Sequence, residues 1–151
     1  MTHFDNNPFK EIEDEVTRLH KENLENVNSI EEIKSENEKN LDQIFTDLLS
    51  VIDAFNKADN RMAEQYPDNE VADKVRKRFM TAKKKLIEIL NKNGVEEILF
   101  PDGMATLRDC EITETEPNQD LPDNTIISIN KSGYRRKDRL LRLAEVVTVK
   151  N

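Results

Sequence analysis

An α+β fold is what this sequence predicts: a long N-terminal coiled-coil helix, a short helix that builds a four-helix cluster in a dimer, and a small C-terminal antiparallel β-domain. Three observations carry the prediction. No Gly or Pro interrupts the chain from Phe9 to about Ala58. Apolar residues in that stretch recur at heptad spacing. After Gly94 the pattern gives way to short β-branched runs separated by Pro, Asp and Asn. Composition agrees: of 151 residues 36% are charged and 5% aromatic, and mean hydropathy is −0.78. Apolar surface is scarce, so the expectation is an elongated chain without a thick core.

Residues 1–8 are expected to be a disordered tail, and residues 9–61 a long dimerising helix that Pro8 is placed to open. Phe9, Val16, Ile30, Ile44 and Val51 stand at multiples of seven, and Ile12, Leu19 and Ile33 hold the companion position three residues on. That is an a/d seam. Asn23 and Asn37 fall at a, Asn26 and Asn40 at d, and farther on the seam moves by one residue to Leu41, Leu48 and Phe55. Self-pairing is preferred over a solvated helix folded back on its own chain, because the rest of the sequence has too little apolar material to cover the stripe.

Tyr66-Pro67 must break this helix, and Asp68 is the expected N-cap of a second one over residues 68–93. Val71, Val75, Phe79, Ala82, Leu86, Ile89 and Leu90 mark one face of it. Phe79 and Leu86 are the candidates for pairing with the dimer mate. Asn93-Gly94 supplies a left-handed stop, with Val95 folding back on Leu90. Residues 94–151 are then a β-domain with strands at 95–100, 109–115, 125–131 and 140–150. Its inward candidates are Ile98, Ile112, Ile127, Ile129, Leu141, Val147 and Val149.

Chemistry is sparse. The 23 basic and 31 acidic residues leave a net charge of −8, which opposes binding to a phosphate backbone. No run reaches the roughly 20 apolar residues of a spanning helix, and the N-terminus has no secretory pattern; a cytoplasmic protein is expected. His3 and His20 have no second ligand at metal-binding spacing, and Cys110 is read as a buried structural thiol. No carboxylate pair or phosphate loop stands out, so no enzyme activity, metal or cofactor is expected. The basic run from Lys74 to Lys85 is read as a solvated face complementing the acidic N-terminal half. Arg135, Arg136, Lys137, Arg139 and Arg142 form a second basic group, read as a candidate contact for an acidic protein partner.

From about Phe45 onward, specific residues resemble the GrpE family, the nucleotide exchange factors of DnaK-type chaperones. Leu48-Leu49-Ser50-Val51-Ile52-Asp53 is similar to the family's leucine-leucine-proline-valine-x-aspartate segment, with Ser50 in place of proline. Asn93-Gly94-Val95-Glu96-Glu97-Ile98 resembles its helix end. Lys131, Gly133-Tyr134, Arg142, Ala144, Val146 and Val149 resemble its C-terminal pattern, with Ser132 inserted before Gly133. Phe100-Pro101-Asp102 and Arg108-Asp109-Cys110 depart from the family's corresponding block. The resemblance implies a parallel homodimer whose β-domain docks on the chaperone's nucleotide-binding domain and holds its cleft open. It implies chaperone contacts at Pro122, Asn130 and Val149, with Gly94 orienting the domain; Gly133, Tyr134 and Arg142 match the pattern as contacts or as structural supports. The alternative is a structural coiled-coil adaptor of the same fold without exchange activity, and nucleic-acid binding through Arg135 to Arg142 is a weaker third reading.

Overall fold

The structure, a computed structural model, describes residues 8–151; apart from Pro8, the tail expected over residues 1–8 lies outside them. Helix α1 runs Pro8–Gln65, past the expected end at 61, because nothing before Tyr66-Pro67 disfavours helix. Helix α2 is Glu70–Lys92. Its N-cap is Asn69 rather than Asp68: the Asn69 Oδ1 accepts from the amides of Val71 and Ala72, both at 3.0 Å, while Asp68 turns the chain at φ 61. At the other end Gly94 takes φ 77 and its amide donates to the Asn91 carbonyl at 3.0 Å. Leu90 and Val95 share one buried cluster, as the glycine stop predicts. Side chains join the two helices at several points. The Arg76 Nε donates to Asp59 at 2.8 Å and the Lys83 Nζ to Asn56 at 2.5 Å, so part of the basic run does complement α1.

Six strands follow: β1 Val95–Glu97, β2 Cys110–Glu116, β3 Ile126–Lys131, β4 Tyr134–Arg136, β5 Arg139–Arg142 and β6 Ala144–Val149. They form two three-stranded sheets, ordered β1-β4-β5 and β2-β6-β3. Three pairings are antiparallel, as expected, whereas β2 and β6 run parallel. The single strand expected over 140–150 divides at Leu143, because its two halves serve different sheets, and β4 has no counterpart in the sequence reading. Register shifts in the pairing of β3 with β6 fall between Ile126 and Ser128 and between Ile129 and Lys131. These turn Ile127 and Ile129 outward, against expectation, leaving Ile129 48% exposed.

The chain divides into two units, residues 1–41 and 42–151. Within the second, Phe45, Leu49 and Ile52 of α1 pack with Leu90, Val95 and Tyr134, and Leu48, Leu86, Ile87 and Leu141 close in around them. The 45/49/52 spacing puts all three α1 residues on one helix face. A second, smaller cluster of Cys110, Ala144 and Val146 lies inside the β2-β6-β3 sheet, where Ile112 and Ile126 pack against it. Among the described residues no helix is long and apolar enough to cross a membrane.

Candidate functional site

The seven residues carried over from the resemblance divide by accessibility. Pro122 and Asn130 are exposed, Pro122 in the loop that leads into β3 and Asn130 near that strand's C-terminal end. Pro122 sits in a tied loop: its carbonyl accepts from the Thr125 Oγ1 at 2.7 Å, and Asn151 braces the same loop through Asp123 at 2.9 Å and the Leu121 carbonyl at 3.0 Å. Asn130 lines a shallow cleft between α1 and the sheet, with Asp53, Asn56, Asn60 and Glu145 on its walls. Val149 is 1% exposed, because it ends the central strand of its sheet; its side chain is not presented at the surface.

Gly133 is buried for a steric reason. A Cβ there would lie 2.5 Å from the Ala144 amide nitrogen, so only glycine lets the chain pass from β3 to β4. Tyr134 is 4% exposed. Burial, reinforced by the Glu97 charge, pushes its phenol pKa up to about 12 despite the opposing Arg142 charge. Gly94 is half-buried, and its carbonyl accepts from the Lys137 amide at 3.0 Å, joining the helix end to the β4–β5 turn.

The second basic group behaves differently from its sequence reading. Arg142 grips Asp53 of α1 with two bonds, Nη1 to Oδ2 at 2.6 Å and Nη2 to Oδ1 at 3.0 Å. The same guanidinium donates to the Ser132 carbonyl at 3.1 and 2.8 Å and lies 5.7 Å from the Tyr134 ring centre. Arg136 and Arg139 converge on Asp42, at 2.9 Å from Arg136 Nη1 and 2.6 Å from Arg139 Nε, and Arg136 lies 5.1 Å from the Phe45 ring centre. Arg135 pairs with Asp109. Four arginines thus pair with three carboxylates of their own chain, Arg136 and Arg139 sharing Asp42, so the group expected to meet an acidic partner also braces the fold from within. Burial pushes the Asp42 carboxyl up, but the bonds from Arg136 and Arg139 outweigh it and hold the group below its ordinary range. The bond from Arg135, helped by Thr106, likewise holds Asp109 down.

Sequence reasoning missed Asp42 and Ser132 and gave Asp53 no role. The available signal was spacing: Asp42 and Asp53 stand eleven residues apart, close to three helical turns, so both fall on one face of α1.

Most residues of the expected dimer seam are open within one chain. Phe9, Ile12, Val16, Leu19, Ile30, Ile33, Ile44, Val51 and Phe79 are exposed, Phe9 by 78%. Leu48 and Leu86 pack partly on the inner core, and the Phe55 and Phe79 rings are 6.3 Å apart. Leu24 and Val27, which the heptad reading passed over, are exposed beside Asn23 and Asn26. His20 is exposed on α1, His3 lies outside the described residues, and among those described no group of three metal-ligating side chains forms. Cys110 is buried with its Sγ 3.2 Å from the Thr106 carbonyl, and burial pushes its thiol pKa up, the opposite of what a nucleophile needs.

Comparison with known proteins places this arrangement. The family model described as GrpE matches residues 4–150. Protein GrpE of Francisella tularensis subsp. novicida (strain U112) is 31% identical over 152 residues, an overlap covering 95% of this chain and 75% of that protein. Protein GrpE of Francisella tularensis subsp. mediasiatica (strain FSC147) is 30% identical over 154 residues, with the same coverage of 95% and 75%.

Proposed function

This chain belongs to the GrpE family and is a nucleotide-exchange co-chaperone of a DnaK-type chaperone; we propose that it acts as a homodimer whose β-domain docks on the chaperone's nucleotide-binding domain and favours the open cleft from which ADP leaves. The family match across residues 4–150 carries the reading. No covalent step is required. A partner that binds the open state more tightly than the closed one shifts the equilibrium by its differential affinity and by no more. The exposed seam of α1 supports the dimer, since an apolar stripe of this length is covered most simply by a second copy.

Pro122 and Asn130 are the proposed contacts, because both are exposed, one in the loop before β3 and one within that strand. Gly94, Gly133, Tyr134, Arg142 and Val149 are assigned to shaping and holding the surface that those two present. Neither nucleic acid nor membrane enters this reading, and the cytoplasm is the proposed location.

Stopped-flow release of fluorescent ADP from a DnaK-type chaperone tests the function: release accelerates with added protein and saturates. No acceleration at saturating, folded dimer would leave the adaptor reading. Pro122→Ala with Asn130→Ala weakens chaperone affinity roughly tenfold, the loss expected when two contacts of ~0.7 kcal/mol each disappear, while circular dichroism is unchanged. Unaltered affinity moves the interface elsewhere.

A further inference from the structure

Two carboxylates of α1 bracket the inner core. Asp42 stands one turn before Phe45, and Asp53 directly follows Ile52, the last α1 residue of the buried cluster. Each is held by arginines of the β4–β5 hairpin, Asp42 by Arg136 and Arg139 and Asp53 by Arg142. The two anchor points are about 16 Å apart along the helix at its ~1.5 Å rise. The packing of Tyr134 and Leu141 on α1 seats the hairpin, and an ion pair at each end of that patch resists rocking about it more than a pair at one end. The anchors are also sheltered: the Arg136 side chain is 7% and the Arg142 side chain 16% exposed, so solvent screening is reduced. Arg142 is further fixed by the Ser132 carbonyl at the junction of β3 with β4, which extends the brace to the second sheet.

From this geometry we infer that Asp42 and Asp53 are positioning residues for nucleotide exchange, because they make the β-domain a rigid arm on α1. The inference rests on the exchange reading above and adds what the rigidity does. A docking domain that can pivot follows its target through both cleft states and binds each equally well, and a ligand with equal affinity for two states shifts nothing. A domain held at two points fits one cleft geometry better than the other. Differential affinity, and hence acceleration of release, therefore resides in the brace, while docking affinity resides in the exposed surface of the β-domain.

The test uses the full chain carrying Asp42→Asn and Asp53→Asn, singly and together, with a DnaK-type chaperone loaded with fluorescent ADP. In the double variant the maximal release rate falls roughly five- to tenfold, within the usual span of coupling between linked equilibria. The concentration giving half-maximal acceleration changes less than about twofold, because the docking surface is untouched. Spin labels at Ser50→Cys on α1 and Asp138→Cys at the hairpin turn report the cause directly: their distance distribution broadens in the double variant. Asp53→Glu, which keeps a carboxylate for Arg142, recovers most of the rate. Should the double variant prove unfolded at the assay temperature, the single variants, each retaining one anchor, carry the same rate and distance measurements. An unchanged maximal rate with a broadened distribution overturns the inference, as does a loss confined to half-maximal concentration. Wild-type protein that fails to accelerate release at all defeats the exchange reading itself, a result visible before any variant is made.

Discussion

At the scale of single residues, two glycines illustrate different reasons for needing that residue. Gly94 has φ 77 and room for a Cβ, whose nearest neighbour would be the Lys137 Cγ at 3.6 Å. Gly94→Ala should therefore cost only the left-handed backbone, about 1–2 kcal/mol. Gly133→Ala drives a Cβ against the Ala144 backbone at 2.5 Å, and we expect a loss of about 3 kcal/mol, the upper end for overpacking. Urea titrations of the two variants compare them directly; equal losses would contradict this assignment. Asp42 gives a pH dependence of defined sign. Its carboxyl titrates lower in the folded chain than in the unfolded one, so its contribution is complete above about pH 4 and is lost as pH falls through the folded value. The stability gap between wild type and Asp42→Asn should be full at pH 7 and shrink near pH 3. A gap that ignores pH would place the stabilisation outside the ionised carboxylate. Gly94 was legible in sequence because a helix stop has a local signature. The partners of Asp42 lie about ninety residues away along the chain, and no local pattern announces them.

At the scale of elements, α1 presents two apolar faces. Phe45, Leu49 and Ile52 point into the chain's own core, whereas Phe9, Ile12, Val16, Ile30, Ile33 and Val51 remain on the open side. The heptad reading found the open face but left a gap at Asn23 and Asn26 that Leu24 and Val27 partly fill. Spacings of eighteen residues join Phe9 to Val27, Ile12 to Ile30 and Ile33 to Val51; that is about five turns at ~3.6 residues each. A stripe with this period runs parallel to the helix axis, so a partner helix can lie alongside with little supercoil. Deleting residues 1–40 should weaken self-association at least tenfold while leaving the unit 42–151 folded, because its core uses nothing before Phe45. Sedimentation and near-ultraviolet circular dichroism of the shortened chain check both halves of that statement. The β-strands were harder to read. Short β-branched runs between turn residues locate β2 and β3, but the register shifts that turn Ile127 outward depend on the strand alongside, and the three-residue β4 is too short to carry a period.

At the scale of the whole molecule, the division at residues 41 and 42 suggests two steps on heating. Residues 1–41 have no buried core of their own among the described residues, so in the proposed dimer their stability comes from the pairing of α1. The first transition should be loss of that pairing, with falling exchange activity, and the second the melting of the unit 42–151. Asn23→Ile with Asn37→Ile should raise the first by several degrees and leave the second in place. A single step in calorimetry, for both wild type and variant, would show that the chain melts as one. The order of synthesis adds a final consequence of the sheet order β2-β6-β3. β2 and β3 do not pair with each other; both wait for β6, which the ribosome makes after them. While they wait, the apolar side chains of Ile112 and Ile126 have no Val146 or Ala144 to meet, and two unpaired strand edges face the cell. Each newborn chain of this co-chaperone therefore passes through an interval in which it is itself the kind of sticky, unfinished polypeptide that chaperones exist to shelter.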